Sequence, residues 1–209
     1  LFHLPSPYET LLMVPAIVLG LTCHEFAHGW TADRLGDPTA RYQGRLTLNP
    51  AAHIDVIGLI MLFIAGFGWA KPVPVNPLNL RGNMRRSMLF VSLAGPAANL
   101  VLAVLAAVAL GLGLWHIPLG REIVIEIIRI NVVLAVFNLL PVPPLDGSKI
   151  LAGLLPGRQE WLYTLENYGV IILLVLLFTG IIGRVLGFII SPLYRLLIEI
   201  ATGISRLGF

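Results

Sequence analysis

The segment His24-Glu25-Phe26-Ala27-His28 carries two imidazoles four residues apart, with a carboxylate beside the first. On a helix that spacing stacks both rings on one face, one turn apart, where they can share a metal ion. Glu25 is then placed to reach a water on that metal. The chemistry such a set performs is hydrolysis: the metal acidifies the water toward neutrality, and the carboxylate takes its proton as a carbonyl is attacked. The plainer role for the same residues is a polar cluster that glues helices together. The setting weighs against it. From Thr10 to Ala32 only His24, Glu25 and His28 interrupt an apolar run. Charges at a bilayer centre cost roughly 2.5–3.5 kcal/mol on insertion scales, so ionisable residues there default to function.

Catalytic zinc takes three protein ligands plus water, so a third ligand is expected. Asp33, Asp37, Glu122, Glu126, Glu160, Glu166 and Glu199 lie in charged, loop-like surroundings. Asp146 stands apart, after an uncharged run that ends in Pro141, Pro143 and Pro144. Those prolines and Gly147 let the backbone leave helical geometry, so a carboxylate can be aimed at a metal; a helix cap after the break is the alternative. Asn138, eight residues earlier, can donate to a developing oxyanion or a substrate backbone, or simply bond between helices. His53 and Asp55 open a short apolar run as an H-x-D pair. His53 is a candidate for a supporting or extra metal contact, or for a helix cap or anchor. Cys23, the single cysteine, excludes an intrachain disulfide. It lies about 100° around a helix from His24, which suits burial better than ligation.

The elements that must position these groups follow from composition. Apolar residues make up 57% of the chain and charged residues 12%, with a mean hydropathy of +0.87. Soluble domains carry about 25% charged residues, so the solvent for most of this surface is lipid. The net charge of +3 is spread through loops, a pattern for an anionic membrane surface and not for nucleic acid. Charge-free stretches place spans at Thr10–Ala32, between Arg86 and Arg121, between Arg129 and Asp146, and from Asn167 to Gly183. Val56–Ala70 is too short to cross comfortably, since a helix needs about 20 residues. Val185–Tyr194 reads as a short return or an amphipathic C-terminal helix. Ala40–Leu48 (ARYQGRLTL) partly alternates and predicts a strand. Lys71–Arg86, with its prolines and cations, predicts an extended surface segment. Trp30, Trp69, Trp115 and Trp161 fit interfacial anchoring, and His3 and His116 fit headgroup contact.

With both motifs in view, the sequence resembles the site-2 protease family of intramembrane zinc metalloproteases. HEFAH at His24–His28 and the N-x-x-P-x-P-x-x-D-G pattern at Asn138–Gly147 are both intact. The likeness continues through Gly44–Pro50, Gly68–Pro77 and Ala94–Asn99, so it covers nearly the whole chain in the manner of the short prokaryotic members. The resemblance implies one zinc per chain held by His24, His28 and Asp146, with Glu25 as general base. It implies regulated intramembrane proteolysis of transmembrane substrate proteins. No room is left for a PDZ or CBS domain, and residues 1–209 are expected to form a single protease domain.

The expected fold is therefore an all-α polytopic membrane protein of about four to six transmembrane helices. A re-entrant segment at Val56–Ala70 and a small β-strand or extended element near the cytoplasmic face complete it. A shared metal requires the first helix and the helix before Asp146 to end on the same side. Arg34, Arg41, Arg45, Lys71, Arg81, Arg85 and Arg86 then cluster on that side, and basic loops favour the cytoplasm. The expected location is the cell membrane, multi-pass, with the active site toward the cytoplasm. Two rival functions use the same residues: a metal transporter with a His/Asp transit site, and a silent binder of captured helices. The intact Glu25 argues against the silent binder. Substrate identity and oligomeric state are not encoded in these motifs.

Overall fold

The computed structural model describes residues 6–65, 68–115, 117–156 and 160–207. His3, His116 and the side chain of Trp161 lie outside the described residues. Among the described residues eight α-helices follow one another: α1 Pro7–Arg34, α2 Thr39–Tyr42, α3 Val56–Ala65, α4 Met84–Gly111, α5 Gly120–Asn138, α6 Asp146–Leu154, α7 Glu160–Phe178 and α8 Ile181–Arg206.

The ends of α1 are fixed by local chemistry. Ser6 accepts from the Glu9 backbone while the Glu9 carboxylate accepts from the Ser6 backbone, a reciprocal cap with Pro7 in the first turn. At the far end Gly36 takes a left-handed φ of 109°. Its N–H donates to Asp33 and that of Asp37 to Ala32, so the last carbonyls are satisfied by a Schellman-type closure. Helix α4 starts at Asn83, whose side chain accepts from the Arg86 N–H. Helix α5 ends at Asn138 ahead of the proline-rich turn.

The core lies between α4, α5 and α8: Ala103, Ala106 and Ala107 pack with Ile128, Val132, Val136, Ile182, Leu186, Leu197 and Ala201. Small residues on α4 let its backbone approach closely, as at helix contacts in lipid. Helices α1 and α4 run antiparallel, because Gly20 and His24 meet Asn99 whereas His28 meets Val91. Helix α5 runs beside α1, with Asn131 level with Gly20 and Asp146, beyond its C-terminal end, beside His24 and His28.

Among the described residues, α1, α4 and α8 are long and apolar enough to cross a membrane, fewer than the four to six expected. Helix α5 misses on composition, since Arg121, Glu122, Glu126 and Arg129 crowd its first half, and the apolar stretch Leu165–Phe178 is short. The segment after Gly183 is no short return. It belongs to α8, a helix of 26 residues.

Two further expectations are corrected. Ala40–Leu48 is not a strand: it begins inside the helical turn α2. The Asp37 carboxylate accepts from the Thr39 N–H and hydroxyl, which starts a helical turn. Arg45 N–H then closes back onto Ala40 and Gly44 takes a positive φ of 64°, so no edge forms. Among the described residues there is no sheet, only an isolated antiparallel bridge between Ile54 and Ala70. The re-entrant segment is likewise unsupported. In its place stand the ten-residue α3 and that bridge, reinforced by the Lys71 N–H donating to the His53 carbonyl. Asp55 is a helix cap there, accepting from the Gly58 N–H.

Candidate metal centre

Helix α1 presents His24 and His28 one turn apart on its buried face. The rings meet edge to face, with centroids 4.5 Å apart and planes at 86°. Their Nε2 atoms stand 3.0 Å from each other, and each is 3.1 Å from Asp146 Oδ2. Asp146 is the first residue of α6, delivered there by the break after α5. Among the described residues, these three are the His, Cys and acidic side chains that could hold a metal ion together.

The outer nitrogens explain why the inner ones converge. His28 Nδ1 donates to the Val91 carbonyl at 2.7 Å, and His24 Nδ1 donates to Asn99 Oδ1 at 2.7 Å. Both neutral imidazoles therefore turn an Nε2 lone pair inward, toward a carboxylate oxygen. Three acceptors pointed at one spot in a buried site repel one another unless a cation sits among them. Ligand atoms about 3.3 Å apart are what tetrahedral zinc with bonds of about 2.0–2.1 Å requires, so the donor set and its spacing fit zinc.

Room for the rings comes from Gly95 on α4. A Cβ there would lie 2.4 Å from His28 Nε2 and 2.6 Å from His24 Cε1. The resemblance quoted this glycine inside Ala94–Asn99 but gave it no role, nor one to Asn99. Their signal in the sequence was faint: a glycine and an amide inside a charge-free run.

Glu25 is buried at 9% exposure. Its Oε2 accepts from the Val73 N–H at 2.7 Å. Val73 sits between Pro72 and Pro74, which have no N–H to offer. Arg45 Nη2 ties this segment down by donating to the carbonyls of Lys71 at 2.8 Å and Pro72 at 3.2 Å.

The other sequence candidates fall elsewhere. His53 is buried, donates through Nε2 to the Thr47 carbonyl at 2.8 Å, and is not part of the metal cluster. Its Nδ1 is buried with no hydrogen-bond partner. Asn138 is half-buried, and its amide donates to the Leu134 carbonyl one turn back at 2.9 Å. Cys23 lines an apolar groove with Phe26, Trp30, Val101 and Leu105.

Comparison with known proteins finds zinc metalloproteases. The profile of peptidase family M50 matches residues 116–180. The chain is 42% identical over 192 residues to "Putative zinc metalloprotease YwhC" of Bacillus subtilis, covering 86% of this chain and 87% of that one. It is 37% identical over 181 residues to "Putative zinc metalloprotease Rip2" of Mycolicibacterium smegmatis, covering 83% of this chain and 69% of the relative. No solved structure matches it.

Proposed function

Because this chain belongs to peptidase family M50 and is a zinc metalloprotease, we propose that it hydrolyses peptide bonds in transmembrane or membrane-proximal segments of other proteins, with Glu25 as general base. The observation that carries this reading is the convergence of His24, His28 and Asp146 inside a bundle whose longest helices suit a bilayer.

His24, His28 and Asp146 would hold one zinc ion, which would supply Lewis acidity for the attack of water on the peptide carbonyl. The chain supplies the rest. Glu25 takes a proton at its carboxylate and returns it to the leaving amine. The Val73 N–H holds one Glu25 oxygen at 2.7 Å, leaving the other for that work. Asn138, at the mouth of the break that carries Asp146, is assigned to the substrate, its amide exchanging the Leu134 carbonyl for a substrate carbonyl. His53 is assigned a supporting role in the Lys71 segment and not a metal contact.

Location follows from the same end of the bundle. The connection between α1 and α4 bears Arg41, Arg45, Lys71 and Arg81, with Arg34 at the end of α1 and Arg85 and Arg86 in the first turn of α4. It joins the helix ends nearest the metal ligands. Short basic connections favour the cytoplasm, so the proposal is a multi-pass protein of the cell membrane with its site toward that face.

The test is reconstitution in lipid with a transmembrane reporter substrate. Glu25→Gln should lower cleavage by about 10²–10⁴-fold while zinc stays bound. Equal cleavage by the two proteins would remove Glu25 from the mechanism.

A further inference from the structure

A buried amide relay crosses three helices beside the metal centre. Asn99 of α4 and Asn131 of α5 are both fully buried, at 0% exposure. Asn99 Nδ2 donates to the Gly20 carbonyl of α1 at 3.0 Å and to Asn131 Oδ1 at 2.8 Å. Asn131 Nδ2 donates in turn to the Ile127 carbonyl at 2.8 Å.

These bonds settle which way the Asn99 amide faces. Both hydrogens of its NH2 are spent on oxygens, so its own oxygen faces His24, and only His24 can provide the proton between them. The ring is thereby held as the Nδ1–H tautomer, with the Nε2 lone pair aimed at the metal position. We propose that Asn99 is a positioning residue: it fixes the tautomer and ring angle of His24 and so sets the affinity of the centre for zinc. The inference rests on the zinc reading and adds to it. His28 obtains the same service from the Val91 backbone, which no side-chain substitution removes. The two ligands thus differ in whether their support can be deleted, and Asn131 provides a neighbour in the same seam whose side chain bonds to Asn99 and Ile127.

Groups that orient metal-bound histidines are worth about 10–100-fold in metal affinity. Zinc affinity of the full chain in detergent, measured by chelator competition, should fall by about that factor in Asn99→Leu. Asn131→Leu should keep wild-type affinity although it lowers thermal stability. The visible absorption of the cobalt(II)-substituted protein should change in Asn99→Leu and not in Asn131→Leu. If Asn99→Leu does not fold, Asn99→Asp and Asn99→Ala make the same comparison, because affinity must follow the acceptor oxygen that Asp retains and Ala lacks. Unchanged zinc affinity in Asn99→Leu, an equal loss in Asn131→Leu, or equal affinities for the Asp and Ala variants overturns the proposal. A wild-type chain that binds no zinc overturns the metalloprotease reading itself; a zinc-binding wild type with indifferent Asn99 variants overturns only the positioning role.

Discussion

An added methyl group on Gly95 would stand within 2.6 Å of both imidazoles, and rings seated against a metal have nowhere to retreat. Gly95→Ala is therefore expected to abolish metal binding while leaving the helices formed. Elemental analysis of the purified variant beside its helical circular dichroism checks both halves. Asp146→Asn should act differently. It keeps a ligating oxygen and the shape of the turn but loses the charge that balances the cation, so zinc occupancy should drop without a change in fold. Full retention of zinc by that variant would refute the ligand assignment. The same scale shows what could be read from residues alone. His24, Glu25, His28 and Asp146 stood out because charge is rare in this chain. Asn99 and Asn131 did not, since an amide leaves an apolar run looking unbroken. Gly95 was silent because the reason for a glycine lies in whatever packs against it, here two rings more than sixty positions away.

Among the elements, the Lys71–Val75 stretch holds Glu25, the proposed base. Val73→Pro would delete the N–H that holds Glu25 and add little bulk. Hydrogen bonds to charged groups contribute about 1.5–3 kcal/mol, so cleavage should fall roughly 10–100-fold while zinc affinity is kept. An equal loss of zinc would mean that the stretch supports the metal ligands as well. The connection from α1 to this stretch is pinned by Asp37, which is fully buried and accepts from Thr39, Asn79 and the Asn76 backbone. Burial works to raise the pKa of its carboxyl, and those bonds outweigh it, leaving the pKa below its ordinary value. A carboxylate with a depressed folded pKa stabilises the protein above the unfolded pKa of about 3.9, and that stabilisation is lost as pH falls through the folded value. Asp37→Asn should therefore destabilise the protein at neutral pH, with the difference from wild type shrinking below about pH 4. Thermal melts at the two pH values measure it. The turn beside Asp37 also explains why no strand forms where the residue pattern predicts one. Partial alternation in ARYQGRLTL satisfied the period, but a strand needs a partner ladder, and the cap at Asp37 turned the same residues into a helix start.

Over the whole molecule, antiparallel α1 and α4 put the connection between them at the end of the bundle where the ligands lie. Cysteine labelling from one side of the membrane should reach positions 45 and 81 together; access from opposite faces would sink the proposed topology. The helical class and the first span were legible because hydropathy reports lipid contact directly. The extent of α8 was not, because Arg184 and Arg195 appeared to end the apolar run. In the fold they lie eleven residues apart on the exposed face of one continuous helix, and exposed charges interrupt a hydropathy count without interrupting the helix.

The backbone of Lys71, Pro72 and Val73 has one further consequence. The Lys71 N–H is given to His53, the Val73 N–H to Glu25, and the carbonyls of Lys71 and Pro72 to Arg45. Pro72 and Pro74 have nothing to donate. From Lys71 to Pro74 each N–H is thus either absent or committed, and the one at Val73 is committed to Glu25. The flanking prolines leave no neighbouring donor to draw Glu25 to either side, so the carboxylate has a single anchor point on this stretch.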